Sequence, residues 1–156
     1  MLRHVITNLT IGVCTVLLLM FLGINAMYAE HPELPKLREM DVLWKSQQPD
    51  NYSFVVEEFC FCDNQFPYTV VESRGNIFVY PLPDMEEVYY QVFSMPEDPI
   101  SIDDVFNMAF EGMRNKDNVT VEYDTRYGFP ILIEIDPQSG TFDDDYSVVI
   151  SDFKIL

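Results

Sequence analysis

The sequence carries little of what catalysis usually requires. Its 156 residues include only two histidines and six glycines, and one histidine, His4, lies in the apolar leader described below. His31 is then the sole imidazole left to act as a general base, the role histidine fills most often. No G-x-S-x-G elbow, P-loop, H-E-x-x-H helix or Gly-rich dinucleotide turn occurs, and chemistries that depend on those spacings are excluded with them. Positive charge is also scarce. Nine Lys and Arg stand against 26 Asp and Glu, a net charge of −17 at pH 7. Such a chain repels phosphate backbones and anionic lipid, so nucleic acid and membrane surfaces are not expected as partners. No apolar run is long enough for a bilayer span of about 20 residues.

What is present begins with "MLRHVITNLTIGVCTVLLLMFLGINAMYA", residues 1–29. A basic start at Arg3 and His4, an apolar run from Ile11 to Ile24 and small residues at Ala26 and Ala29 have the composition of a signal peptide. Export is therefore expected, with the mature chain at 30–156 periplasmic or secreted. The alternative is an uncleaved leader that anchors the chain to the membrane. Cys14 does not fit a lipid-attachment site, because Val13 before it is large and the apolar core follows it. All the acids lie beyond residue 29. Removing Arg3 with the leader leaves eight cations against 26 acids, or −18.

Beyond the leader the spacing predicts one α+β domain. "ELPKLREMDVLWKSQ" sets Leu37, Met40, Leu43 and Trp44 at helical spacing, with Pro35 at the start where a missing N–H costs nothing. Residues 52–63 alternate as a strand. Tyr68–Glu72 and Ile77–Tyr80 form two more around "SRGN". Val88–Phe93 is expected as an edge strand within a connection, where Tyr89, Tyr90 and Phe93 cover the core or form a binding patch. "ISIDDVFNMAFEGMRNK" is a helix capped by Ser101 and Asp104, with an apolar stripe of Ile102, Val105, Phe106, Ala109, Phe110 and Met113. "NVTVEYD", "FPILIEID" and "YSVVISDF" alternate as three further strands. The expectation is an antiparallel sheet of about six strands with two main helices on one face. The order helix, strand from Asn51 or Asn118, then "FP", hints at a weak helix-plus-three-strand repeat.

Two clusters carry chemistry. Cys60 and Cys62 lie on one side of an extended chain, with Cα atoms roughly 6.5 Å apart if the strand continues through them, whereas disulfides prefer about 5.5 to 6 Å. In an oxidising compartment they are the only mature intramolecular partners, which favours a bridged clip with a local bend. Free thiols, an intermolecular bond and a redox pair are the alternatives. Structural zinc would need four N or S ligands, more than the mature chain offers. The second cluster is "DPQSGTFDDDY". Asp136, Asp143, Asp144 and Asp145 bracket a loop between strands, either splayed into water or holding calcium through carboxylates and carbonyls. Paired carboxylates would also suit a hydrolase. No cofactor is otherwise expected. Tyr127, Gly128 and Pro130, with Phe129 between them, are expected as a structural turn leading to Asp136.

Trp44, "YSFVVEEFCFC", "VVESRGNIF", "SIDDVF", "VEYDTRYGFPILIEID" and "DDDYSVVISDF", in this order, resemble an exported bacterial family known only as domain of unknown function 6174, over about residues 40–153. The resemblance implies a compact exported domain with the C-x-C element built in, and no assigned activity. Members often carry lipoprotein signals. The function expected from all this is a non-catalytic binding or structural module whose partner is unknown, a protein being one option.

Overall fold

A computed structural model describes residues 30–60, 66–85, 96, 98–115, 117–137 and 145–156, the side chain of Asp84 excepted. The leader, Cys62, Val88–Phe93, Asp143 and Asp144 lie outside the described residues, so the readings made on them stay expectations. Pro32–Leu156 forms one compact unit and is described below.

It is an α+β unit. Among the described residues, two helices pack on one face of a six-stranded antiparallel sheet. Helix α1 spans Leu34–Gln47 and α2 spans Ile102–Asn115; the strands are β1 Asn51–Phe59, β2 Tyr68–Ser73, β3 Asn76–Pro81, β4 Asn118–Tyr123, β5 Pro130–Asp136 and β6 Tyr146–Ile155. Among the described residues one 3-10 turn, Pro83–Met85, follows β3. The sheet order is β3-β2-β1-β6-β5-β4, so two meanders lie side by side and join along β1 and β6.

Local sequence explains each helix. In α1 the buried side chains are Leu37, Met40 and Trp44, one face at spacings of three and four. Its first turn holds Pro35 and lacks a side-chain cap. Helix α2 is capped reciprocally: the Asp104 N–H donates to Ser101 Oγ at 3.1 Å, and the Ser101 N–H donates to Asp104 Oδ2 at 2.9 Å. Its buried stripe is Ile102, Val105, Phe106, Ala109, Gly112 and Met113. Gly112 lets the helix approach the sheet closely, since a Cβ there would meet Val119 Cγ2 at 2.8 Å.

The strands bury alternate residues beneath the helices: Tyr52, Phe54 and Val56 on β1, Tyr68 and Val70 on β2, Val148 and Ile150 on β6. Strand β1 ends at Phe59, short of the Asp63 expected from its alternation, and Cys60 sits in a bend. The cause lies in β6, whose ladder partner for Phe59 is Ser147, one residue from its own start. A strand runs only as far as it has backbone to pair with. At the other end of this pair Phe54 faces two residues of β6, Asp152 and Phe153, across a bulge, with Asp152 at φ 51. The extra residue shifts the alternation by one, and Phe153 turns back toward the core.

Candidate functional site

At the end of the sheet where β1 and β5 finish and β4 and β6 begin, a groove of about 570 Å³ opens. The β4–β5 register sets Asn118 opposite Asp136 and Thr120 opposite Glu134. Glu134 in turn faces Ser147 of β6, and Ser147 faces Phe59 of β1. Side chains on one face of paired strands form rows, so residues from four strands share one wall. Cys60, Ile135, Asp145 and Tyr146 complete the lining. The structure thus brings three predicted site residues, Cys60, Asp136 and Asp145, to one groove, 85 positions apart at the extremes.

The lining is rich in oxygen. Asp136 is half-buried, and its Oδ1 is shielded from solvent without a hydrogen-bond partner among the described residues. A buried carboxylate oxygen in that state favours a donor or a cation. Among the described residues, however, no group of three or more His, Cys, Asp or Glu side chains is disposed to hold a metal ion.

Behind the groove the Tyr146 hydroxyl donates to Glu58 Oε2 at 2.6 Å. The Tyr68 hydroxyl accepts the Ile100 N–H at 3.2 Å and points toward Glu58 Oε1, 3.5 Å away. One carboxylate therefore ties β1, β2 and β6 to the entry of α2. At the opposite end of β1, the Tyr52 hydroxyl is bonded to Glu72 and accepts from Gln48 Nε2 at 2.9 Å. Burial first, and the neighbouring carboxylate hydrogen bond second, hold the Tyr52 and Tyr146 hydroxyls well above the usual tyrosine range. Tyr123 is pushed up to about 12, chiefly by burial and then by the charge of Glu33.

This predicts an alkaline limit on stability. A tyrosine whose pKa is raised on folding stays neutral in the native state while the unfolded chain ionises above about 10. The stability linked to these three groups is complete below pH 10 and declines as pH climbs toward 12 and beyond. Thermal melts at increasing pH are expected to hold level to about pH 9 and then fall, with part of the tyrosinate absorbance of the nine tyrosines appearing only on unfolding.

The predicted turn residues sit away from the groove, between β4 and β5. Asp124 Oδ1 accepts the Arg126 and Tyr127 N–H groups at 2.8 and 2.5 Å, and the Asp124 carbonyl accepts the Gly128 N–H at 3.0 Å. Phe129 is buried behind this turn, 5.4 Å from Trp44. The sequence reading missed Glu134, Asn118 and Thr120 as groove residues, and Glu58 with its tyrosines. The visible signal was alternation, since polar positions of "NVTVEYD" and "ILIEID" that fall on one face must share a wall once the two strands pair.

Fold and groove together define a class, an acidic α+β protein with helices on one face of its sheet and an oxygen-lined cleft at one end. The chain belongs to the Family of unknown function (DUF6174), whose pattern matches residues 36–155. No curated protein and no solved structure matches it. No helix among the described residues is long and apolar enough to cross a membrane.

Proposed function

We propose that the chain is an exported, non-catalytic binding module whose mature part spans residues 30–156 and whose binding place is the groove at the sheet end. One observation carries this reading: the groove gathers carboxylate, amide and hydroxyl side chains from β4, β5 and β6 beside the apolar ring of Phe59. That lining is suited to recognising a cationic or polar ligand. Cys60, in its bend directly after β1, is taken as bridged to Cys62, a clip that would fix the groove's rim. Expression with the leader tests export. The expected product is outside the cytosol, has the mass of the chain without residues 1–29, and takes up alkylating reagent only after reduction. Full-length cytosolic protein with reactive thiols overturns the reading.

A second reading, a calcium-dependent form of the same module, is favoured by the buried oxygen of Asp136, unpartnered among the described residues, in the groove that Asp145 also lines. Asp143 and Asp144 would supply further ligands. An ion bound to the native state at a hundredfold excess over its Kd stabilises by about 2.7 kcal/mol, a Tm rise on the order of 10 °C for a domain of this size. Melts with calcium and with excess chelator are expected to differ by that order, and Asp136→Asn to abolish the difference. Coincident melts dispose of the calcium reading.

A further inference from the structure

A second groove, of about 720 Å³, lies between β3 and the flank of α2. It is distinct from the cleft at the sheet end and goes beyond the reading given for that cleft. Its walls are Ile77 of β3, Asp98 before the helix, and Asp104, Asn107, Met108 and Glu111 of α2. The four helical residues fall at spacings of three, one and three, a single stripe on the side of α2. β3 is the last strand of the sheet, so among the described strands one edge of its backbone has no partner. Ile77, Phe78 and Tyr80 are 39%, 48% and 51% exposed, an apolar edge of the kind that takes up another strand.

We propose that β3 and α2 form a receptor for an extended, basic segment of a partner protein, which adds to the sheet as a seventh strand. An edge strand facing a helix across a groove supplies both halves of such recognition. The backbone edge fixes the segment's direction and register, and the groove selects alternate side chains. Selection here is for Lys or Arg. Asp98, Asp104 and Glu111 set three carboxylates around an apolar floor of Ile77 and Met108, and a long cationic side chain covers such a floor with its methylenes while its head group meets the acids. Asp104 accepts the Ser101 N–H through Oδ2 and lines the groove as well, so capping the helix does not remove it from the groove. The net charge of −17 adds long-range attraction for a basic partner. The same charge disfavours a second copy, since pairing β3 with β3 would bring two sets of these acids to one seam.

The test uses the exported chain with two labelled eight-residue peptides, one alternating lysine and valine, the other alternating glutamate and valine, read by fluorescence anisotropy. The lysine peptide is expected to bind in a salt-sensitive manner and the glutamate peptide not to bind. N-methylation of alternate lysine-peptide residues is expected to abolish binding, because it removes the backbone donors a strand must offer. Asp98→Lys combined with Glu111→Lys, both at exposed positions, is expected to weaken binding about tenfold or more with the melting temperature kept, whereas Glu122→Gln, exposed on β4 and outside the lining of both grooves, leaves it unchanged. Equal binding of the N-methylated peptide overturns the proposal, since the contact would then be charge alone. Failure of the lysine peptide to bind also overturns it, and light scattering on the same sample then separates a second copy at the edge from the chain's own Val88–Phe93, the edge strand expected from the sequence.

Discussion

Replacing Trp44 by alanine is expected to remove about 3 to 5 kcal/mol of stability, the range for deleting a buried aromatic side chain. Against a typical total of about 5 to 15 kcal/mol, that leaves much of the population near unfolding at physiological temperature. Trp44 is fully buried and is the chain's only tryptophan. Its indole meets Tyr52 at 5.3 Å, Phe129 at 5.4 Å and Phe153 at 6.0 Å, each ring nearly perpendicular to it. Edge-to-face pairs of this kind are worth about 0.5 to 1.5 kcal/mol beyond the area they bury. The three partners come from β1, the β4–β5 turn and the end of β6, so one side chain of α1 holds both meanders. Trp44→Phe is a sharper comparison. The indole N–H has no hydrogen-bond partner among the described residues, and phenylalanine discards that donor while keeping most of the ring. Its expected cost is about 1 to 2 kcal/mol, because loss of an unsatisfied polar group offsets part of the lost packing. Urea unfolding followed by circular dichroism measures both variants. An alanine variant within about 1 kcal/mol of the parent would mean that the aromatic cluster does not organise this end of the core.

How far such features are legible in the sequence depends on their range along the chain. Helix α2 was open to reading because its signals are local: Ser101 and Asp104 three positions apart, and a stripe that repeats every three or four residues. The faces of β1 and β5 were legible for the same reason. The phase slip at Asp152 was not. A strict period of two assigns Asp152 to the core side after Val148 and Ile150, and only the register against β1 shows Phe153 there instead. The stop of β1 at Phe59 was equally hidden, being set by where β6 begins, some 90 residues later. The sheet-end groove divides in the same way. Asp136 and Asp145 stand out as part of an acidic run, but Glu134, Asn118 and Thr120 join them only through pairing of β4 with β5. Glu58 meets Tyr146 across 88 positions, with nothing in either neighbourhood to announce it. The groove beside β3 depends on how α2 crosses the sheet, a property of packing rather than of pattern.

Gly128→Ala is expected to cost about 2 to 5 kcal/mol, far more than a methyl group usually does on a turn. Two effects add. Gly128 has φ +81, in the region where an L-residue loses about 1 to 2 kcal/mol. A Cβ there would also stand 2.9 Å from Leu43 Cδ2, 3.1 Å from its Cγ and 3.2 Å from its Cβ, an overpacking that costs typically about 1 to 3 kcal/mol in a close-packed setting. Gly75 separates the two. Its φ is +77 and nothing lies within 4 Å of an added Cβ, so Gly75→Ala should show the backbone penalty alone, about 1 to 2 kcal/mol. In the double variant Gly128→Ala with Leu43→Ala, Cγ and Cδ2 of the leucine are gone, and the two losses are expected to sum to less than their separate values by about 1 kcal/mol. Matched thermal and urea unfolding of the parent, the three single variants and the double variant reads these differences directly. The consequence reaches beyond the turn, because the residue after Gly128 is Phe129, which the loop delivers to Trp44. If Gly128→Ala and Gly75→Ala destabilise equally, Leu43 does not press on the turn, and close approach of α1 is not what fixes glycine at this position.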